Sequence, residues 1–250
     1  MNGYWAKRSF DLVAVIFTAP LWLPLLGVLA VLVRLKLGTP VLFRQKRPGW
    51  REAVFELVKF RTMRDDRDTT GKPLSDADRL TPFGRWLRAT SLDELPELWN
   101  VLGGEMSLVG PRPLLVQYLP RYNLRQARRQ EVLPGLTGLA QVNGRNGLSW
   151  DEKFEWDVRY VESQSLWLDI KILAMTVGTV LFRRGINAQG DATMPEFRPD
   201  LVPGSEGRTS GRAEGAPGAI ALIQSDPKSK NQRRVGMIRT DAKQGTDGIS

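Results

Sequence analysis

The chain has 250 residues, and its 36 lysines and arginines against 27 aspartates and glutamates leave a formal net charge of +9, a balance suited to a membrane surface, a nucleotide or a nucleic acid. It contains neither histidine nor cysteine, which excludes zinc centres, disulfides, thiol nucleophiles and Ser-His-Asp triads. Acid–base and metal chemistry therefore fall to carboxylates, lysine, arginine and tyrosine, and hard oxygen donors favour magnesium or manganese.

Leu12 to Val33 is a run of 22 residues without a charge, long enough to cross a bilayer as a helix and too long for the apolar region of a secretory signal. Pro20 and Pro24 lie near its middle, each deleting a backbone donor and favouring a kink. Lys7 and Arg8 precede the run, and Arg34, Lys36, Arg44, Lys46, Arg47 and Arg51 follow it. Positive residues prefer the cytoplasm, so the two flanks choose the same side and point to a helix that enters and turns back. A plain span is the competing reading, since spanning helices tolerate proline.

Beyond this segment, Pro40 to Arg44 and Ala53 to Phe60 read as short extended pieces, with a turn at Gly49-Trp50. Lys59 and Arg61 alternate about Phe60 and would project to one face, either to meet a diphosphate or to be solvated. Arg64 to Arg79 is a charged, turn-rich surface loop. Thr81 to Arg88 opens a short helix that carries Arg85 and Arg88 toward Asp93. Ser91, with Glu94 three residues on and Leu95, Leu98, Trp99, Val101 and Leu102 behind, has the pattern of a capping box, with Asp93 and Glu94 as first-turn acids. The same geometry would keep both carboxylates ionised. Neighbouring helical residues point about 100° apart, which suits separate jobs, one attacking and one binding metal.

Leu114 to Glu131 reads as helical apart from Pro120. Its Arg121, Arg125, Arg128 and Arg129 would form an interfacial face or a solvated one. Trp150 to Arg159 follows with alternating acids and aromatics. Trp167 to Phe182 is an amphipathic to apolar helix whose uncharged part, Ile172 to Phe182, is too short to span. From about Ser205 the chain loses hydrophobic periodicity and reads as a disordered tail. The expected divisions are a membrane helix over 1–37, a catalytic domain over 38–204 and a tail over 205–250.

The stretch Ser91-Leu92-Asp93-Glu94-Leu95-Pro96-Glu97-Leu98-Trp99-Asn100-Val101, with Gly104-Glu105-Met106-Ser107-Leu108-Val109-Gly110-Pro111-Arg112-Pro113, resembles the signature of the bacterial sugar transferases, the monotopic phosphoglycosyl transferases. Lys7-Arg8 with Phe10-Asp11, Phe43 to Gly49, Lys59-Phe60-Arg61-Thr62-Met63 and Pro134 to Arg145 match in order, so the resemblance covers about residues 4 to 187. It implies an α/β fold, a compact catalytic domain of helices with a small strand element. An N-terminal re-entrant membrane helix and amphipathic interfacial helices would rest it on the cytoplasmic face of a bacterial inner membrane. The family's helix break is a Ser-Pro pair, whereas this chain has Ala19-Pro20. Thr18 is placed to supply the missing hydroxyl, or Pro24 to share the bend.

The resemblance also implies a reaction in the synthesis of polysaccharides and other glycoconjugates. A sugar 1-phosphate would pass from a UDP-sugar to polyprenyl phosphate, in bacteria undecaprenyl phosphate, and UMP would be released. Asp93 would be the nucleophile and Glu94 the ligand of magnesium, or of manganese. Lys59, Arg61, Arg88, Arg112 and Arg145 would bind phosphate, and Pro111 and Pro113 would fix Arg112 near uracil. Asn143-Gly144-Arg145-Asn146 with Leu148-Ser149-Trp150 resembles members that use N-acetylated amino sugars. No nucleic acid partner is implied. The alternative from another class is a membrane-anchored basic module that binds nucleic acid or anionic lipid without catalysis, and it leaves Asp93, Glu94 and Arg112 without a task.

Overall fold

The computed structural model of the chain describes residues 2–144, 147–181 and 196–199. Arg145, the Phe182-Arg183-Arg184 end of the last expected helix, and the 205–250 tail lie outside the described residues.

Helix α1 (Asn2–Leu37) carries Pro20 and Pro24 in its interior, so the chain stays helical through Ala19 and both prolines. It buries a stripe of Lys7, Asp11, Val15, Trp22, Leu29, Val33 and Leu37. Steps of four and seven residues keep such a stripe on one helix face. Its other faces expose Val13, Ile16, Leu21, Val28 and Val31, with Phe17 at 83% exposure. Both ends are tied to the body formed by the later elements. Near the start, Lys7 Nζ meets Asp169 at 2.6 Å, Arg8 donates to the carbonyls of Val101 and Leu102, and Ser107 Oγ donates to Asp11 at 2.7 Å. At the other end the Leu37 carbonyl accepts from Arg61. Pro20 deprives the Ile16 carbonyl of its donor. Thr18 Oγ1 bonds Ala14 instead, at 2.7 Å, and Trp22 Nε1 bonds Val15 at 3.0 Å, so neither replaces the bond that Pro20 removes.

Strands β1 (Leu42–Pro48) and β2 (Val54–Phe60) form an antiparallel hairpin in register from Leu42 opposite Phe60 to Pro48 opposite Val54. β1 runs four residues past the expected Arg44. On β2, Phe55 and Leu57 are buried in a cluster with Leu98, Val101 and Met106, and Lys59 follows at the same parity. A short helix α2 (Asp76–Arg79) interrupts the surface loop. Helix α3 (Pro82–Ala89) is capped by Thr81, whose side chain accepts from Gly84 N–H, with Pro82 in its first turn.

The capping box expected at Ser91 is absent. Ser91 has φ 56 in the left-handed region and makes no capping bond. Leu92–Glu94 is a single tight turn, and α4 (Glu97–Gly103) starts only after Pro96. Asp93 and Glu94 thus sit on a turn before the helix rather than inside its first turn. After α4, β3 (Ser107–Val109) pairs in parallel with β4 (Gly135–Thr137).

The expected helix over Leu114 to Glu131 is also corrected. The chain forms a tight helical turn at Val116–Arg121, a short helix α5 (Leu124–Ala127) capped by Asn123, and a second tight turn at Arg128–Glu131. Its arginines are paired rather than spread on a free face: Arg121 with Glu196, Arg125 with Glu155, Arg128 with Glu162 and Arg129 with Asp157. Helix α6 (Leu139–Val142) leads to α7 (Trp150–Ser163), which holds a real capping box, Ser149 with Glu152. Helix α8 (Leu166–Leu181) follows, and its Trp167 is 76% exposed.

Candidate active site

Lys59 comes last but one on β2, and its Nζ lies 3.1 Å from Glu94 Oε1 and 2.9 Å from Glu97 Oε1. Arg112 grips both oxygens of Glu94 through its two terminal nitrogens, the fork geometry that suits guanidinium to carboxylate. Asp93 is 8% exposed beside this pair. Burial, reinforced by the negative charge of Glu94, pushes its carboxyl up to about 7, against the pull of Lys59, Arg112 and Arg88. This corrects the expectation of a carboxylate kept ionised by a helix end, because the turn that holds Asp93 is too short to supply one. Burial would raise Glu94 as well, but Arg112 and Lys59 outweigh it and hold Glu94 well below the usual carboxylate range.

The surrounding chain explains the motifs. Thr62 Oγ1 accepts from Arg88 Nε at 3.0 Å, which aims Arg88 from α3. Gly84 backs onto the Thr62 carbonyl so closely that a Cβ would lie 1.8 Å from the oxygen. Arg61 is not brought to the cluster. Its guanidinium bonds the carbonyls of Leu37 and Thr39 and so closes the end of α1, and the expected pair of cations on one face reduces to Lys59. Arg85 is likewise occupied, on the Leu80 carbonyl.

Pro111 and Pro113 are buried on either side of Arg112. Three bonds hold that turn: Gly135 N–H to the Pro111 carbonyl at 3.0 Å, Arg129 to the Arg112 carbonyl at 2.6 Å, and Arg47 to the Pro113 carbonyl at 3.2 Å. Gly110 and Gly135 approach so tightly that a Cβ on Gly135 would stand 2.0 Å from Gly110 N. The two motifs around positions 110 and 135 are thus two sides of one contact.

Sequence reasoning missed Glu97, Arg47 and the Arg129–Asp157 pair. Glu97 is 1% exposed. Its signal was present, since it stands three residues after Glu94 in the same stretch. Arg129 is 3% exposed, with its nitrogens 3.0 and 2.7 Å from Asp157 Oδ2, and no local pattern marks a partner 28 residues away.

Among the described residues, no group of three or more carboxylates could cage a metal. Magnesium needs no such cage, since it is held by one or two carboxylates together with phosphate oxygens and water. Glu94, ionised and already facing two cations, fits that donor set. The arrangement can therefore offer one carboxylate for attack and one for a cation, with Lys59, Arg88 and Arg112 for phosphate charge.

The family model of the bacterial sugar transferases matches residues 2–183. The uncharacterized sugar transferase EpsL of Bacillus subtilis is 53% identical over 191 residues, covering 76% of this chain and 95% of its own. A UDP-glucose:undecaprenyl-phosphate glucose-1-phosphate transferase of Caulobacter vibrioides is 42% identical over 185 residues, 70% of this chain and 69% of its own. The exopolysaccharide production protein ExoY of Rhizobium meliloti is 36% identical over 200 residues, 73% and 88% respectively.

Proposed function

This chain belongs to the bacterial sugar transferase family, and on that premise we propose that it transfers a sugar 1-phosphate from a UDP-sugar to undecaprenyl phosphate through a covalent intermediate on Asp93. The observation that carries the reading is Asp93 itself, a carboxylate 8% exposed, set beside Glu94 among Lys59, Arg88 and Arg112. Relatives named for that reaction class supply the donor and acceptor.

In the first step an Asp93 carboxylate oxygen attacks the β-phosphorus. The bond from β-phosphorus to the oxygen it shares with the α-phosphorus breaks, and UMP leaves with that oxygen. In the second step a phosphate oxygen of the lipid attacks the same phosphorus, the bond to Asp93 breaks, and the lipid diphosphate sugar departs. Two displacements suit one soluble and one lipid substrate. Arg112 and Arg88 orient the phosphates and neutralise charge as phosphorus is attacked. Lys59 lies on Glu94 and Glu97 in the free protein and can follow the phosphate charge. Magnesium, held by Glu94 and phosphate oxygens, would supply further charge neutralisation.

The ties at both ends of α1 to one body support a helix that returns to the side it entered from, with the catalytic body in the cytoplasm. Single cysteines at Asn2 and Thr70 test this, since the chain has none of its own. An impermeant thiol reagent should reach neither in intact cells. Labelling of Asn2 alone means a span. The reaction is tested by intact-mass measurement with UDP-glucose, UDP-galactose and UDP-N-acetylglucosamine in turn. One of them should leave a sugar-phosphate adduct on the wild type and none on Asp93→Asn. Turnover by Asp93→Asn at the wild-type rate excludes the covalent path, and release of UMP from none of the panel favours the non-catalytic basic module.

A further inference from the structure

We propose that the segment at Glu196 and Phe197 is a clamp on the catalytic body and that Phe197 is a positioning residue for Arg112. The inference rests on the donor-binding role proposed for Arg112. The family match ends at residue 183, so this segment lies beyond it.

Phe197 is 1% exposed. Its ring centroid stands 5.0 Å from Phe154, 5.4 Å from Trp150, 5.8 Å from Tyr118 and 6.1 Å from Tyr122. The backbone is held as well. Phe197 N–H donates to Tyr118 Oη at 3.3 Å, and Arg121 Nη1 donates to the Phe197 carbonyl at 2.6 Å and to Glu196 at 2.8 Å. An aromatic anchor in a ring-lined socket, with its main chain bonded on both sides, is how a peptide is captured on a groove.

The socket leads to the active site in two contacts. Tyr122 and Phe154, which receive Phe197, also flank Arg129, whose guanidinium carbon lies 5.8 and 5.7 Å from their ring centroids. Arg129 Nη1 donates to Tyr122 Oη at 3.2 Å, and its Nη2 donates to the Arg112 carbonyl at 2.6 Å. Phe197 thus backs the two rings that hold Arg129, and Arg129 holds the backbone of the residue that grips Glu94. Without the Phe197 ring, Tyr122 and Phe154 keep each other and Trp150 but lose the ring that backs both, and Arg129 depends more heavily on Asp157. A misplacement of about 1 Å at a substrate-orienting group is enough to cost about 10²-fold in rate.

The test uses the full chain in detergent or lipid discs, with Phe197→Ala, the milder Phe197→Leu and, as an independent way to release the segment, Arg121→Gln. Binding is measured with UDP alone, and backbone hydrogen exchange is followed by mass spectrometry. Phe197→Ala should weaken UDP binding about tenfold, the size of one displaced charge-assisted contact. It should also speed exchange at residues 108–113 and 135–137 while leaving the hairpin at 42–60 at the wild-type rate. Phe197→Leu and Arg121→Gln should shift both readouts the same way by less, and they decide the matter if the alanine variant does not fold. Unchanged exchange at 108–113, or equal acceleration in the hairpin, overturns the proposal, the second because it marks a general stabiliser. If the wild type does not bind UDP, the donor reading fails, whereas the exchange pattern still decides whether Phe197 holds the Arg112 turn.

Discussion

Glu94–Arg112 and Asp157–Arg129 are both carboxylate–guanidinium pairs, joined through the bond from Arg129 to the Arg112 carbonyl. They differ in what surrounds them. The side chains of Arg129 and Asp157 are 2% and 5% exposed, and Tyr122 and the Arg112 carbonyl take further donors of Arg129. Arg112 keeps 39% of its side chain open, and its partner Glu94 is shared with Lys59 and crowded by Asp93. A closed pair of this kind fixes a backbone, because losing either member strands a buried charge. An open pair in a crowd of like charges can exchange partners when a phosphate arrives. The two also differ in origin, since one joins motif residues and the other joins α7 to a turn.

Breaking the crowded side at its centre should have the largest effect. Asp93→Asn should lower turnover by about 10³-fold or more, as loss of a nucleophile does, in an assay of UMP release. Its melting temperature should be no lower than the wild type's, because burial penalises the charged Asp93 carboxylate.

Asp157→Asn tests the closed side. Stranding Arg129 should cost about 3–5 kcal/mol of stability, measured by chemical denaturation in detergent, and Arg129→Met with Asp157→Leu should restore most of it. The contrast between the two pairs collapses if Arg112→Gln destabilises the protein as much as Asp157→Asn does.

On the open side, Arg112→Gln should raise the KM for the UDP-sugar about 10- to 100-fold, the size of a charge-assisted hydrogen bond. Glu94→Gln should raise the magnesium concentration for half-activity about tenfold on the same grounds, and excess chelator should silence the wild type. Full activity in chelator removes the metal from the reaction.

The smallest effect sharpens the boundary between the two pairs. Lys153 on α7 is pulled down to about 8 by burial and by Arg112, with Asp157 opposing. A lysine whose folded value lies below its unfolded one binds fewer protons in the native state between about 8 and its ordinary value near 10.4. Stability should therefore rise with pH across that window. Lys153→Met removes the titrating group, so its stability advantage over the wild type should shrink steadily from pH 8 upward, read as the difference in melting temperature. A constant difference means that burial and Arg112 together leave Lys153 unshifted.

The features legible in the sequence were those set by neighbours along the chain. An uncharged run marked α1, two extended pieces about a turn at Gly49-Trp50 marked the hairpin, and Thr81-Pro82 opened α3 where expected, since caps, prolines, turns and apolar period act within a turn or two. The family motifs held Asp93, Glu94, Lys59 and Arg112, Arg88 stood on the helix expected before them, and the structure gathers those five. What tertiary structure decided was the assignment of partners. Arg61 and Lys59 are two residues apart and look alike in sequence, yet one closes α1 and the other faces two glutamates. Ser91 had the sequence of a cap, but Pro96 displaced the helix start and left Asp93 on a buried turn. Leu114 to Glu131 had helical composition. Its Tyr118 and Tyr122 were drawn into an aromatic cluster and its arginines to distant acids. A buried charge is tolerable only where a partner reaches it, and which partner does so is a property of the folded body, not of the spacing along the chain.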